Sequence, residues 1–262
     1  MKNKKSLGQN WLKDRTTLEE IADIAADFPE TRLDNPPKIC IEIGPGLGTL
    51  TSSLLKRFDQ IIAIEFDPEL AKNLPKSFPG KNLVVKNEDI LNFDFGPIKE
   101  PFIVSGNIPY YITTPIIKKL LTLEKKPEKI VLLVQKEVAE KICEKTKHSS
   151  LSLFVDNLAK AELGPIVKKD LFTPPPKVDS QVIIFYPFKS PKYDNDPYLS
   201  EFIQKCFLNP RKKLSSNLSS SFSIKKEEAE KLLQSLSFSK NVRPSDLNPN
   251  DYTKLAKIIK KR

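Results

Sequence analysis

The chain has 262 residues, enough for one large domain with an appendage, and carries 43 Lys+Arg against 33 Asp+Glu, a formal net charge of +10. Hydrophobic residues at 39% and charged residues at 29% describe a globular protein with a real core and an acidic partner, nucleic acid first among them. A single histidine, His148, excludes zinc–histidine sites and serine–histidine catalysis unless they use that residue.

From the N-terminus, residues 1–10 are polar and basic with no apolar stretch of a secretory signal, and no apolar run approaches the ~18 residues of a membrane span. Residues 16–28 place Leu18, Ile21, Ala22 and Ala25 on one helical face behind a threonine cap. Strands are expected at 38–43, 60–66, 82–86, 101–105 and 129–134, alternating with helices at 47–58, 68–76, 114–123 and 136–144. His148 falls in a polar stretch, 145–150, that reads as a solvated loop. Further strands are expected at 166–168 and 182–187. Such alternation argues for an α/β fold with a mostly parallel sheet. The proline-rich 187–197 reads as a linker, followed by helices at 198–208, 212–221, 225–236 and 250–259. The chain thus divides into 1–189, net +3, and a helical 190–262, net +7, whose field suits phosphate docking rather than chemistry. Cys40, Cys143 and Cys206 lie far apart and form no C-x-x-C pair, so no metal site and no disulfide framework is expected, and a reducing cytoplasm fits.

Three motifs end successive strands. Glu42-Ile-Gly44-Pro-Gly46-Leu-Gly48 opens a helix, and Glu65 closes the next strand 21 residues after Gly44, where a doubly wound fold holds ribose hydroxyls. The glycine spacing departs from the pyrophosphate-gripping pattern, and Glu42 suits a cationic ligand end. S-adenosylmethionine, with adenosine but no phosphates, fits both features. Asp89, after the third strand, can accept from an adenine amino group while Ile90 packs on the ring. By itself an aspartate there is more often a turn residue. Ser105-Gly-Asn107-Ile108-Pro109-Tyr110-Tyr111 joins an amide, a proline-rigidified turn and an aromatic at the sheet edge. An exocyclic aromatic amine is a poor nucleophile and must be held by acceptors, here Asn107 and a turn carbonyl near Ile108. Tyr110 offers a stacking face, and an activated methyl donor then needs positioning rather than a strong base.

With these motifs in order, the chain resembles the ribosomal RNA small-subunit adenine N6-dimethyltransferases, relatives of the macrolide-resistance (Erm) methyltransferases. The likeness includes Lys5-Ser-Leu-Gly-Gln9-Asn10-Trp11-Leu12-Lys-Asp14, Val134-Gln-Lys-Glu137, Phe172-Thr-Pro-Pro-Pro-Lys-Val178-Asp179-Ser180 and Arg211-Lys-Lys-Leu214. It implies a Rossmann-like S-adenosylmethionine methyltransferase sheet of seven strands with a small C-terminal all-helical domain. Residues 1–189 would be catalytic and 190–262 would dock RNA. It sets Asn10, Leu12, Gly44, Glu65, Asp89 and Asn107 against S-adenosylmethionine, and Asn107 and Tyr110 against the target adenine with Phe172 on its other face. The implied substrate is two adjacent adenosines in a 3′-terminal hairpin of small-subunit ribosomal RNA, within an immature small subunit. A cytoplasmic monomer is expected. Trp11 stands where the family usually has phenylalanine, Ile108 where leucine is commoner, and His148-Ser-Ser replaces a frequent Tyr-Gly-x. Alternatives are an Erm-type enzyme acting on large-subunit RNA, an assembly checkpoint or nucleic-acid-binding factor on the same fold, and a nicotinamide-dependent dehydrogenase. The last would leave the Asn-Ile-Pro-Tyr motif idle.

Overall fold

A computed structural model describes residues 9–28, 36–193 and 196–260. Residues 5–8 of the N-terminal signature and the lysines at 2, 4 and 5 lie outside the described residues. The chain forms two compact units, divided at 139/140, 159/160 and 187/188.

The first unit is built on a seven-stranded sheet. Its strands are β2 (Ile39–Ile43), β3 (Gln60–Glu65), β4 (Leu83–Asn87), β5 (Phe102–Asn107), β6 (Lys129–Gln135), β7 (Ala159–Val167) and β9 (Ser180–Pro187), in the order β4-β3-β2-β5-β6-β9-β7. The pairs β2–β3, β3–β4, β2–β5 and β5–β6 are parallel, and β9 runs antiparallel to β6. β2, β5 and β6 are apolar and buried along nearly their whole length, as covered parallel strands must be. The chain steps outward from β2 to β4 and then returns to β5 beside β2. That reversal opens a crevice at the carboxyl ends of β2 and β5, the usual ligand site of such sheets. A two-stranded ribbon, β1 (Trp11–Leu12) with β8 (Phe172–Thr173), pairs Leu12 with Phe172 and Trp11 with Thr173.

Helices α1 (Arg15–Ala26), α2 (Thr49–Leu54), α3 (Pro68–Asn73) and α4 (Thr113–Thr122) belong to this unit, and α5 (Lys136–Cys143) begins in it. α1 buries Leu18, Ile21, Ala22 and Ala25, the face its periodicity marks. Its cap is Asp14 rather than a threonine: one carboxylate oxygen accepts from the Thr17 N–H at 2.8 Å and the Thr17 hydroxyl at 2.6 Å. Glu19 and Asp23 tie α1 to Lys56 and Arg57, which hold the Glu19 carboxyl down at about 2. Lys129, buried at the start of β6, donates to the carbonyls of Ile24 and Asp27 and so closes the carboxyl end of α1.

The second unit is helical, with α6 (Ser150–Leu158), α7 (Pro197–Cys206), α8 (Leu214–Phe222), α9 (Lys226–Ser235) and α10 (Pro249–Lys260). Its core gathers Leu153, Phe202, Cys206, Leu214, Leu218, Leu233, Tyr252 and Leu255. Inside it the Tyr252 hydroxyl donates to the Pro244 carbonyl at 2.7 Å.

The α/β reading holds, with three corrections. Residues 140–159 group with the helical unit instead of the sheet unit, because α6 inserts Leu153 into the helical core. α6 itself was not expected. Ser149 caps it through a reciprocal bond with Ser152, a serine variant of the capping box that is hard to see in sequence. His148 therefore precedes a helix, and its N–H donates to the Ser245 carbonyl at 2.9 Å. Finally, β7 runs from Ala159 to Val167, far longer than the three residues expected.

Candidate active site

The glycine loop leaves β2 at Ile43 and is held from two sides. The Gly44 N–H donates to the Ile64 carbonyl at 2.9 Å, and the Gly46 N–H donates to Glu65 Oε2 at 3.0 Å. Gly46 has φ +58°, and a Cβ there would lie 3.2 Å from the Trp11 ring. Gly48 caps α2 at φ +82°, and a Cβ there would meet Leu74 at 2.7 Å and Phe78 at 2.8 Å. The positive φ favours glycine at both positions, and at Gly48 the lack of space adds to it.

Glu65 ends β3, buried, with Oε1 accepting from the Asp67 N–H at 2.8 Å. Burial raises its pKa above the usual carboxylate range, and the two backbone N–H groups oppose that rise. Each oxygen keeps lone-pair capacity for a ligand hydroxyl. Glu42, one residue before the end of β2, is 1% exposed, and its Oε2 meets no partner. Burial pushes its carboxyl up to about 8, with Glu65 adding to the effect.

Past β4, Asp89 uses Oδ1 to accept from the Leu91 N–H at 2.9 Å, and its carbonyl accepts from Asn92 and Phe93. It is therefore a turn residue, as an aspartate at a strand end usually is, and also part of the cavity wall beside Ile90. Lys119 of α4 braces this turn by donating to the carbonyls of Leu91 (2.8 Å) and Phe93 (2.7 Å).

Asn107 ends β5. Its Nδ2 donates to the Asn10 carbonyl at 3.0 Å. A carbonyl can only accept, so this contact fixes which end of the amide is nitrogen and leaves Oδ1 as the acceptor. Pro109, at φ −59° and ψ 133°, then sets a 3-10 turn over Tyr110–Ile112. The Tyr110 hydroxyl lies 2.7 Å from Ser180 Oγ, and burial raises that phenol's pKa. Tyr111 is 63% exposed.

Asn10, Leu12, Gly44, Glu65, Asp89, Asn107 and Tyr110 all line one cavity, together with Gln9, Trp11, Glu42, Phe66 and Ile90. Phe172 does not join them. It is 3% exposed and packs in the apolar core with Leu12, its partner across the β1–β8 ribbon, so the structure does not offer it as a stacking face. Sequence reasoning assigned no role to Trp11, Lys119 or Ser180. Trp11 and Ser180 each carry a signal, as members of the Lys5–Asp14 signature and of the Thr-Pro-Pro-Pro-Lys-Val-Asp-Ser run, whereas Lys119 lies in no motif. Among the described residues no group of three His, Cys, Asp or Glu is placed to hold a metal ion, and no helix is long and apolar enough to cross a membrane.

Residues 1–261 match the family model described as ribosomal RNA adenine dimethylase. The chain is 38% identical to the ribosomal RNA small subunit methyltransferase A of Mesomycoplasma hyopneumoniae, over 97% of this chain and 95% of that one. Among solved structures it resembles a dimethyladenosine transferase from Plasmodium falciparum (26% identity, TM-score 0.76, 95% and 97% of the two chains). It also resembles the 23S rRNA methyltransferase ErmE (28% identity, TM-score 0.70, 96% and 100%). A full-length match to the family model, the relative's identity and a site with Asn107-Ile-Pro-Tyr110 at the sheet's switch point agree: the chain belongs to the ribosomal RNA adenine dimethylase family.

Proposed function

We propose that this protein dimethylates N6 of two adjacent adenosines in a 3′-terminal hairpin of small-subunit ribosomal RNA, using S-adenosylmethionine. The residues present fit that cofactor. Glu65 offers acceptors for ribose hydroxyls, Asp89 for an adenine amino group, and Ile90 and Phe66 apolar faces for the ring. The partnerless Glu42 oxygen is an acceptor for the N–H groups of the amino-acid end, beside Gly44, Asn10 and Leu12. When bound, S-adenosylmethionine supplies an electrophilic methyl group on a sulfonium that is already a good leaving group.

The chain's own residues then bind and orient the acceptor. The target adenosine must leave its stack to reach a recessed site. Tyr110 stacks on the base, a contact worth ~1–3 kcal/mol. Asn107 Oδ1 and the Ile108 carbonyl accept from the exocyclic N–H groups, turning the nitrogen lone pair toward the methyl carbon. The observation that carries this reading is the Asn107–Asn10 bond, which commits the amide nitrogen and leaves the oxygen to accept. Phe172 supports Leu12 from the core in this scheme instead of covering the base. Arg211, Lys212 and Lys213, exposed ahead of α8, dock RNA phosphates of the immature small subunit, and the enzyme works as a cytoplasmic monomer.

The test is methyl transfer from labelled S-adenosylmethionine to small subunits from cells lacking the modification, followed by nucleoside analysis. Label in N6,N6-dimethyladenosine of small-subunit RNA is expected. Label confined to large-subunit RNA would transfer the assignment to an Erm-type activity, and subunit binding without label would leave a binding factor.

A further inference from the structure

The Thr-Pro-Pro-Pro-Lys-Val-Asp-Ser segment ends at Ser180, which the chemistry above does not use. Ser180 opens β9 and is fully buried, paired in register with Gln135 of β6. Its neighbour Asp179 anchors the strand entrance three ways. Asp179 Oδ1 accepts from the Lys169 N–H at 3.0 Å, Oδ2 pairs with Lys168 at 3.0 Å, and its carbonyl accepts from the Lys136 N–H at 3.1 Å. The Ser180 hydroxyl is thus presented from a strand fixed on both sides, 2.7 Å from the Tyr110 hydroxyl.

Tyr110 needs such a fix. Pro109 sets the backbone entering the turn but leaves the ring's side-chain torsions free. Tyr110 is partly buried on the cavity wall, and the Ser180 bond is the one polar contact at the far end of its ring among the described residues. A ring held at both ends presents one face at one angle, whereas a ring held only at its Cα samples several. Burial keeps the phenol protonated at neutral pH, so the pair stays a neutral hydroxyl–hydroxyl bond.

We propose that Ser180 is a positioning residue of the methylation reaction: it locks the Tyr110 ring in the orientation that stacks the target adenine. This rests on the reading of Tyr110 as the base-stacking residue. The hydroxyl tether acts only through Tyr110, so removing either end has the same consequence.

The experiment is a double-mutant cycle on single-turnover methylation of small subunits, with Tyr110→Ala as reference. Ser180→Ala and Tyr110→Phe are each expected to lower the methylation rate by about five- to tenfold, the worth of one net hydrogen bond. The affinity for the subunit should change less than twofold. The Ser180→Ala/Tyr110→Phe double variant is expected to be no slower than either single one. A second readout uses a short hairpin carrying 2-aminopurine at the target position: stacking-dependent quenching should weaken equally in both single variants. Tyr110→Phe retains the ring and loses only one oxygen, so it keeps the test open should Ser180→Ala misfold. Multiplying rate effects, or unaltered rate and quenching in both single variants while Tyr110→Ala is slow, would overturn the tether. Normal methylation by Tyr110→Ala would instead overturn the stacking reading on which it rests.

Discussion

Replacing Glu42 with glutamine should change how stability depends on pH, in a direction the structure dictates. The carboxyl is 1% exposed, has an oxygen without a partner, and is held at about 8 by burial against an ordinary 4.5. The folded protein therefore holds a proton that the unfolded chain gives up above pH 4.5. Between pH 4.5 and 8 the unfolded state binds fewer protons, so stability falls as pH rises, and it levels off above 8. At about 1.4 kcal/mol per pH unit, this one group removes on the order of 3–4 kcal/mol between pH 5 and pH 8. Glu42→Gln keeps the shape and removes the titration, so its stability should decline less over that range by roughly the same amount. Urea titrations followed by fluorescence would measure it, because Trp11 is the single tryptophan and lies against Gly46 in the loop that follows the Glu42 strand. Parallel pH profiles for the two proteins would overturn this expectation and show that Glu42 is ionised in the folded state.

Asn107→Ala should lower methylation by at least about 100-fold, the range seen when one oriented hydrogen-bonding group is removed from a transition state, while the melting temperature shifts only a few degrees; near-normal turnover would remove Asn107 from the chemistry. Gly48→Ala should cost about 2–3 kcal/mol, since it combines a positive φ with contacts under 3 Å to Leu74 and Phe78, and chemical denaturation would read it. Lys119→Met should raise the KM for S-adenosylmethionine severalfold with kcat nearly unchanged, because Lys119 braces the turn that presents Asp89 and does not touch the acceptor turn's Asn107; steady-state kinetics separates the two. Charge reversal at Arg211, Lys212 and Lys213 should weaken RNA binding and flatten its dependence on salt, by up to about one unit of slope for each phosphate no longer neutralised, measured by filter binding.

Most of the sheet unit was legible because each strand is a short apolar run and each motif sits at its carboxyl end. Glu42, Gly44, Glu65, Asp89 and Asn107 come from four strands separated in sequence, yet parallel pairing brings their ends to one edge. What stayed hidden depended on contacts across the fold. Phe172 looks like an available aromatic in sequence, but the β1–β8 ribbon turns it into the core beside Leu12. Helix α6 was missed because Leu-Ser-Leu-Phe-Val resembles a strand and its capping serines are common residues, and that omission also misplaced the unit boundary. Ser180 was part of a recognisable run, but only the antiparallel placement of β9 brings its hydroxyl to Tyr110.

Methyl transfer turns on how an adenine amine is held at the end of β5. The decisive measurement is a crystal structure with a non-transferring S-adenosylmethionine analogue and an adenosine-containing oligonucleotide. The purine N6 is expected within hydrogen-bonding distance of Asn107 Oδ1, on a line from the analogue's sulfonium-equivalent atom, with Tyr110 against the ring. A purine seated elsewhere, or an Asn107 side chain whose oxygen points away from the bound base, would disprove that arrangement.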